Sequence, residues 1–330
     1  MIRSRSSSAP TPAEATLAAS SRAIGAVAGG VLAAGAAVAA YATAVEPRAF
    51  RIRSEVLRVL PAGARPITVL HLADIHLAPW QSTKLDWLEG LAMLEPDLIV
   101  NTGDSLGHRA ALPALADALR VFQGVPGFFV HGSNDVYGPE LKNPLRYFGG
   151  PSKPASESRA HRLDTAGLER AFEELGWLDV NNAARAIEVR GTTVAAFGVS
   201  DAHRHWDRLD ETEAALSRMR KAVGDEPRVT LGITHAPYQR ILNAFVDLGA
   251  DAILAGHTHG GQVRVPGGHA IVTNCDIPRA QASGLSEWSH EGRSVPLNVS
   301  QGIGASIFAP FRLGAPPEAV AVSLLPHDIG

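Results

Sequence analysis

The strongest constraint on the fold is that short apolar runs alternate with segments that carry leucines at helical spacing. Runs such as 67–74 and 97–104 end in polar residues, which is typical of buried strands. Between them, 84–94 and 111–122 show the helical spacing. The alternation predicts an α/β fold with a largely parallel sheet. The predicted strands are 67–74, 97–104, 127–135, 193–201, 228–235, 251–259, 270–275 and 319–325.

Composition narrows the classes of protein. The chain has 330 residues, 45% of them hydrophobic, which is enough for a large core. A formal net charge of −3 gives no electrostatic basis for binding nucleic acid. The one cysteine, Cys275, excludes an intrachain disulfide and a cysteine-rich zinc site. Composition does not determine the oligomeric state.

The amino-terminal region differs from the rest. Residues 1–22 are rich in Ser, Thr, Pro and Ala and are predicted to be a disordered tail. Residues 23–45 carry no charge, and a run of this length can cross a bilayer as a helix. We expect an uncleaved, single-pass anchor in the cell membrane, with a cleaved signal peptide as the alternative. A linker, 46–65, and a catalytic domain, 66–330, complete the predicted organisation.

Two signals disagree about which side of the membrane holds the domain. More arginines follow the apolar segment than precede it, and the positive-inside rule then places the domain in the cytoplasm. A start that resembles a secretory signal favours the opposite side. The topology is therefore left open.

Polar residues collect where five of the predicted strands end. Residues i and i+2 of a strand point to the same side, so Asp74 pairs with His76 and His257 with His259. Ligands of open α/β sheets bind beyond the carboxyl ends of the strands. We therefore expect one site, formed by Asp74, His76, Asp104, the block 132–135, His235, His257 and His259.

The order and spacing of these blocks resemble the calcineurin-like metallophosphoesterase superfamily, whose motifs run D-x-H, G-D, G-N-H-D/E, H and G-H-x-H. The resemblance covers roughly residues 66–325. The segments "GHTHGGQ", "YATAVEP" and "FRLGAPPEAV" resemble its membrane-anchored bacterial branch. That branch includes enzymes compared with UDP-2,3-diacylglucosamine diphosphatases and a Tat-exported wall-associated phosphoesterase. The resemblance implies an α/β fold in four layers, a β-sandwich flanked by helices, preceded here by one transmembrane helix.

The resemblance also implies two divalent metal ions. By position, Asp74, His76, Asp104 and His259 would hold the first ion, and Asp104, Asn134, His235 and His257 the second. Carboxylate and imidazole donors suit Mn, Fe, Zn or Co better than calcium. Two such ions polarise a phosphoryl oxygen and activate water. The expected activity is metal-dependent hydrolysis of a phosphoester or pyrophosphate, with catalytic roles for Asp104, Asn134, Asp135 and His235.

The expected substrate is a phosphorylated small molecule or a lipid-linked phosphate. The membrane anchor and the resemblance to the bacterial branch point to a pyrophosphate like that of UDP-diacylglucosamine in lipid A synthesis. This step is an analogy between families.

The third block departs from the superfamily motif, because it contains "GSND" instead of G-N-H-D. Without a gap, Ser133 replaces the ligand asparagine and Asn134 the histidine. Shifted by one residue, Asn134 is the ligand and Asp135 replaces the histidine. The shift is preferred because an amide oxygen is the better metal ligand. In both alignments the histidine that serves as acid to the leaving oxygen is missing, and Asp135 can replace it only with a raised pKa.

Two other functions compete with this interpretation. The segment "GDSLG" fits both the G-x-S-x-G nucleophile elbow and the block of GDSL-type serine esterases, with Ser105 as nucleophile. A binding module that has kept the metallophosphoesterase fold but lost catalysis is the other alternative, supported by the altered third block. Three further expectations concern details. Asp201 or His203 contacts the substrate, Arg312 and Glu318 form a buried pair, and the glycines after His259 approach the site.

Overall fold

Two six-stranded sheets packed face to face form the centre of the protein. The computed structural model describes residues 12–139, 161–224, 228–264 and 268–327. The first sheet has the order β1-β12-β2-β3-β4-β5 and the second the order β10-β11-β9-β8-β7-β6. Most neighbours pair in parallel, and the antiparallel pairs are β12–β2, β6–β7 and β10–β11. The predicted fold class is confirmed.

The strands are short, apart from the two that pair the ends of the domain. They are β1 Arg51–Leu60, β2 Ile67–Leu72, β3 Leu98–Asn101, β4 Gly127–Phe129, β5 Trp177–Asp179, β6 Ala183–Val189, β7 Thr192–Gly198, β8 Arg228–Thr234, β9 Ala252–Ala255, β10 Gly284–His290, β11 Arg293–Val299 and β12 Glu318–Pro326.

Helices cover both outer faces of the sandwich and precede it. They are α1 Pro12–Ala40, α2 Ser82–Gly90, α3 Leu112–Leu119, α4 Thr165–Leu175, α5 Leu209–Val223 and α6 Gln239–Asp247. One apolar cluster, with Val100 and Leu231, fills the space between the sheets. A second, with Phe172, lies between the first sheet and α2–α4. A third, with Phe245, lies between the second sheet and α5–α6, which completes the four layers.

The amino-terminal helix differs from its predicted bounds. It begins at Pro12, so residues 12–22 are helical although a disordered tail was expected, and residues 1–11 lie outside the described part. Gly25–Arg48 is long and apolar enough to cross a membrane, by length and composition, with a mean hydropathy of 1.6. Alanine, which is abundant on both sides of Arg22, has the highest helix propensity, and this continues the helix past the apolar run.

Two expected segments have other structures. Most of the expected linker, 46–65, is the edge strand β1, which pairs with β12 from the other end of the chain. The expected strand 270–275 is irregular, with one isolated bridge between Ala270 and Arg264. It bends instead around His257, whose Nε2 lies 3.2 Å from the carbonyl oxygen of Asn274.

Candidate metal centre

Seven donor residues meet where strands of both sheets end. Asp74 and His76 follow β2, Asp104 follows β3 and Asn134 follows β4. His235 follows β8 of the second sheet directly, and His257 and His259 follow β9. Because the carboxyl ends of parallel strands share an edge and the two sheets pack together, loops from both sheets converge. The structure brings together all seven residues that the sequence singled out as metal ligands.

The first group of donors surrounds Asp74. The ligand atoms of Asp74, His76 and His259 all lie within 4.8 Å of one another. His259 Nε2 is 3.8 Å from Asp74 Oδ1, and His76 Nε2 is 4.0 Å from the same oxygen. These separations are too long for hydrogen bonds and suit donors that face one cation.

The second group of donors surrounds Asp104. His235 Nε2 lies 3.5 Å from Asp104 Oδ2, and His257 Nδ1 lies 3.2 Å from His235 Nε2. The side-chain amide of Asn134 donates to Asp104 Oδ2 at 2.7 Å, and its backbone N–H donates to Oδ1 at 2.8 Å. Asn134 therefore lies beside Asp104, and its role as the ligand asparagine, which the shifted alignment expects, stays a prediction.

Hydrogen bonds on the far side of the rings orient two of the histidines. His235 Nδ1 lies 2.9 Å from the Thr102 carbonyl oxygen, so Nε2 points towards Asp104. His257 Nε2 faces the Asn274 carbonyl, so Nδ1 points inwards. A ring that donates one N–H to a carbonyl presents the lone pair of its other nitrogen, as second-shell partners of metal-bound histidines do.

The backbone is strained at most of the donors. Five of them are non-glycine residues in the left-handed region, where such residues are uncommon. Strain of this kind persists only where the surrounding structure enforces it, and it concentrates at functional sites. The φ angles are 48° at Asp74, 43° at His76, 54° at Asp104, 69° at His257 and 50° at His259.

Burial keeps three of the histidine rings neutral. It lowers the pKa of His76 to about 4, and the positive charge of Lys84 adds to the effect. Burial and neighbouring imidazoles hold the pKa values of His257 and His259 well below the ordinary value. Neutral imidazole is the form that binds a metal, so these rings are ready for coordination.

The surroundings shift the pKa values of the two aspartates in opposite directions. Burial raises the pKa of Asp74 to about 7, and the Asp104 carboxylate adds to the rise. Burial alone would raise the pKa of Asp104 as well, but His235, His76 and the Asn134 amide hold it well below the ordinary value. The same pairing raises the pKa of His235 against the effect of its burial. Binding of a divalent cation here would displace protons, because both carboxylates and imidazoles bind metals in their deprotonated form.

Buried donor atoms without a hydrogen-bond partner show, independently of any motif, that the site fits a metal. Asp74 Oδ1 and both ring nitrogens of His76 are buried and have no hydrogen-bond partner among the described residues. Buried polar atoms without a partner are costly, and a bound ion is one explanation for them. Carboxylate with neutral imidazole suits first-row transition metals.

The Asp135 carboxylate is held by backbone N–H groups, and its expected role as a general acid stays a prediction. Asp135 is fully buried, and its carboxylate accepts four backbone N–H groups, from Asp104, Ser105, Leu106 and Gly132, at 2.7 to 3.2 Å. Both carboxylate oxygens therefore accept hydrogen bonds from the loops that carry Asp104 and Asn134. This placement supports a role in shaping the loops and does not favour the expected role of Asp135 as acid.

Ser105 is not arranged as a nucleophile. It is fully buried, and its hydroxyl oxygen accepts a hydrogen bond at 3.1 Å from the side-chain amide of Asn101. Its backbone N–H donates to Asp135. A serine esterase needs a histidine within hydrogen-bond reach of the serine oxygen. The described contacts of Ser105 contain none, which argues against the esterase interpretation.

Two buried cations lie beside the site, and the sequence predicted the burial of Arg312 but not that of Lys84. Lys84 donates to the Ile75 carbonyl at 2.8 Å, and burial lowers its pKa to about 7. Arg312 is fully buried and donates to the carbonyls of Gln301, Gly302, Gly304 and Ala315. Arg312 and Glu318 are both buried, as expected, but their direct pairing stays a prediction. Glu318 accepts from Arg51 and Arg53.

His203 packs against the second group of donors. Its ring centroid lies 4.8 Å from that of His257, and its Nδ1 lies 2.9 Å from the hydroxyl of Tyr238. Asp201 is buried beside it and accepts the backbone N–H of His203. Substrate contact by Asp201 or His203 stays a prediction.

Glycines approach the site closely, but not those expected. A Cβ on Gly132 would overlap Asp104 Oδ1, and one on Gly256 would lie 2.6 Å from Asp74 Oδ2. A Cβ on Gly260 or Gly261 would meet Gln301 or Ala270 instead. The close approach is thus made by Gly132 and Gly256, and also by Gly302, on which a Cβ would lie 2.6 Å from Asp74 Cβ.

His131 forms an ion-pair cluster behind the third block, and this predicts a pH dependence of stability. Its ring nitrogens lie 3.7 Å from Asp135 and 3.3 Å from Glu169. Burial alone would lower the pKa of His131, but the two carboxylates raise it from 6.5 to about 9. This contribution is complete below pH 6.5 and is lost as the pH rises through 9.

We expect the free energy of unfolding to fall by on the order of 3 kcal/mol between pH 6.5 and 10. His131→Gln should remove this fall, because glutamine does not titrate. Denaturant titrations of both proteins across this range measure the difference. His290→Gln, which removes a histidine paired with Asp247 at the surface, is the control and should leave the slope unchanged. Equal slopes for wild type and His131→Gln would contradict the prediction.

Comparison with known proteins identifies the family. A family model described as calcineurin-like phosphoesterase matches residues 67–261, more than half of the chain. A Bacillus subtilis (strain 168) protein, the uncharacterized metallophosphoesterase YkoQ, is 26% identical over 260 residues, which cover 78% of this chain and 83% of that protein. The uncharacterized protein YpbG of the same bacterium is 26% identical over 268 residues, covering 79% and 82%.

A third relative is a Bos taurus protein named transmembrane protein with metallophosphoesterase domain. It is 25% identical over 227 residues, which cover 67% of this chain and 46% of that protein. The matched segment of the family model, 67–261, contains all seven donor residues. Shared ancestry over this segment and the convergence of its donors agree with the family that the motifs indicated. The protein is thus a metal-dependent phosphoesterase, and the chain belongs to the calcineurin-like phosphoesterase family.

Proposed function

We propose that this chain hydrolyses a phosphoester or pyrophosphate bond with two divalent metal ions bound side by side. The observation that carries the proposal is the position of one oxygen atom. Asp104 Oδ2 lies 3.4 Å from His76 Nε2 and 3.5 Å from His235 Nε2. One carboxylate thus faces a donor of each group, which is what a ligand that bridges two ions requires.

The ligands divide between the two ions according to these groups. Asp74, His76, Asp104 and His259 would hold the first ion, and Asp104, Asn134, His235 and His257 the second. When bound, the two ions supply positive charge to the phosphoryl oxygens and acidify water at the site. The identity of the metal is proposed only as far as Mn, Fe, Zn or Co.

The residues of the chain prepare this chemistry before a substrate arrives. Left-handed turns at five donors and hydrogen bonds behind His235 and His257 restrict the ligands to one arrangement. The four backbone N–H groups that donate to the Asp135 carboxylate hold the Asp104 and Asn134 loops against each other. A prearranged site spends less binding energy on organising itself, so more remains for the transition state.

The leaving group that the site favours follows from the position of Asp135. Its carboxylate is bound to backbone N–H groups, so the third block offers no acid for the leaving oxygen. Without a proton donor, a leaving group that is stable as an anion departs faster than an alkoxide. This supports a pyrophosphate or another substrate with a good leaving group over a simple alkyl phosphomonoester.

We also propose that Gly25–Arg48 anchors the enzyme in the cell membrane and that its substrate is lipid-linked. The support is the length and apolar composition of this segment and the word transmembrane in the name of the bovine relative. A lipid-linked pyrophosphate, similar to UDP-diacylglucosamine, combines this location with the favoured leaving group.

A second candidate function is binding without catalysis. The observation that favours it is the absence of a histidine from the third block together with the backbone-bound Asp135. A protein of this kind would hold its metals and bind a phosphorylated ligand without cleaving it. Purified protein that holds two metals and is inert towards every phosphoester tested would favour this candidate.

The test combines metal analysis with a phosphoester panel. We expect about two divalent ions per chain, loss of activity with a chelator, and recovery when Mn, Fe, Zn or Co is added back. The panel should include a nitrophenyl monoester, a diester and a nucleotide diphosphate. Ser105→Ala should retain both metal and activity, which a serine esterase would not. Activity that survives complete chelation would refute the proposal.

A further inference from the structure

The end of the amino-terminal helix is built into the catalytic domain. After Ala40 the chain continues through a π-helical turn, Tyr41–Val45, and a 3₁₀ turn, Glu46–Arg48. The backbone N–H of Arg312 donates to the Ala42 carbonyl at 2.8 Å, and that of Ala315 donates to the Glu46 carboxylate at 2.6 Å. Glu46 is almost fully buried. The apolar helix and the domain are therefore joined without a flexible linker.

One loop extends from this junction to the metal centre. We call residues 305–311 the rim loop. At its start, the Gly304 N–H donates to the Asp74 carbonyl at 2.7 Å, next to a candidate metal ligand. At its end lies Arg312, bonded to Ala42. Gln262 holds the middle, because its side-chain amide donates to the carbonyls of Ala309 and Phe311.

The rim loop exposes apolar side chains instead of polar ones. Its sequence is "ASIFAPF", and Phe308 is 44% exposed. Trp80, 63% exposed, stands on the neighbouring loop between His76 and α2. The segments that flank the two loops adjoin, because a Cβ on Gly304, just before the rim loop, would overlap the Ile75 carbonyl and lie 2.7 Å from Lys84 Nζ.

Two more exposed residues lie on either side of Ala42, the residue that is bonded to Arg312 at the end of the rim loop. Tyr41 and Val45 are 46% and 52% exposed there. Isolated exposed apolar residues are ordinary, and what distinguishes these is that the loop carrying Phe308 is bonded to the end of the candidate span. Aromatic residues at the end of a membrane-spanning helix lie preferentially at the level of the lipid headgroups. Continuity with the candidate span identifies the occupant of this surface.

We propose that the rim loop and Trp80 lie in the headgroup layer of the same membrane that the amino-terminal helix crosses. The metal centre then stands directly above the bilayer surface, and a phosphate carried on a lipid reaches it without leaving the membrane. The partner is a phospholipid bilayer. The inference rests on the proposed membrane anchor and deepens the proposed function, because it names the route by which the substrate enters.

The decisive experiment measures the depth of Phe308 in a membrane. Phe308→Cys in the full chain receives a nitroxide label after reconstitution into vesicles of phosphatidylcholine and phosphatidylglycerol. The natural Cys275 is buried, and burial raises its pKa to about 12, so it reacts little with the label. Collisions of the label with oxygen and with a polar nickel complex report whether it lies in lipid or in water.

The matched control is Val121→Cys. Val121 is 43% exposed, close to the 44% of Phe308, but it precedes β4 and therefore lies at the edge of the sheet opposite the metal centre. We expect the label at 308 to collide mainly with oxygen and the label at 121 mainly with the nickel complex. Equal accessibility of both labels to the nickel complex would overturn the proposal.

An activity measurement tests the consequence for the substrate. Trp80→Ser and Phe308→Ser should keep full activity on a water-soluble nitrophenyl phosphoester. On a lipid-linked pyrophosphate in the same vesicles they should lose on the order of tenfold, the equivalent of removing one apolar side chain from the membrane. Equal losses on both substrates would contradict the entry route. If no phosphoester is cleaved, the proposed function fails, and the depth measurement still decides the position of the rim loop.

Discussion

Asp104→Asn is expected to remove bound metal and phosphoesterase activity together. The Asp104 carboxylate faces both groups of donors, so its charge contributes to the affinity for both ions. An asparagine keeps the shape but loses the charge and half of the oxygen donors. Losing one transition-state donor costs about 10²–10³ in kcat, and losing a ligand of both ions should cost more. We therefore expect a loss of activity on the order of a thousandfold or greater.

Metal content by elemental analysis and turnover of the best substrate in the panel measure the two effects. Asp97→Asn is the matched control. Asp97 lies just before β3, at the end of the sheet opposite the metal centre, and accepts the backbone N–H of Thr68 in β2. It should keep both metals and nearly full activity. An Asp104→Asn protein that hydrolyses phosphoesters at the wild-type rate would refute the two-metal mechanism.

Asp135→Ala is expected to unfold the loops of the site rather than remove an acid. The carboxylate accepts four buried backbone N–H groups, and each donor left without a partner costs about 1–3 kcal/mol. Part of this cost is recovered where water enters, so we expect the free energy of unfolding to fall by about 3 kcal/mol or more. Denaturant titrations of the metal-free protein measure the change without a contribution from metal affinity.

Asp164→Ala provides the comparison for this substitution. Asp164 caps α4 and accepts a single N–H, from Gly167, at an exposed position. Its loss should cost about 1 kcal/mol, the usual value for an N-cap. If Asp135→Ala were as stable as Asp164→Ala but had lost one limb of the pH–rate profile, Asp135 would be the general acid after all. This outcome would restore the role that the sequence alone predicted.

The pattern of donors was accessible from the sequence because each part of it is local. Asp74 with His76 and His257 with His259 are pairs that a reader can identify without coordinates, because each pair follows an apolar run directly. The strand rule that paired them does not apply, since the strands end before them and all four residues have left-handed backbones. The strand–helix alternation predicts that the carboxyl ends of the strands share an edge. Together these two local signals predicted which loops meet.

Contacts between distant segments were less accessible. Residues 51–60 resemble a basic linker, yet they form β1, because β12 from the other end of the chain supplies their hydrogen-bond partners. Lys84 and Arg312 bind backbone carbonyls beside the site, and carbonyls are the same in every residue. Residues 270–275 have strand-forming composition but are bent around His257.

The third block has one property that the sequence determined and one that only the structure decided. Its letters "GSND" exclude a histidine at the usual place, and this follows from the sequence alone. Whether Asp135 faces the metals or the backbone depends on where the Asp104 loop runs, and only the packed structure determines that. Side-chain chemistry and short-range periodicity are properties of neighbouring residues, so the sequence by itself determined the donor types and the fold class. The partners of each buried polar group come from remote parts of the chain, so they were decided only when the two sheets packed together.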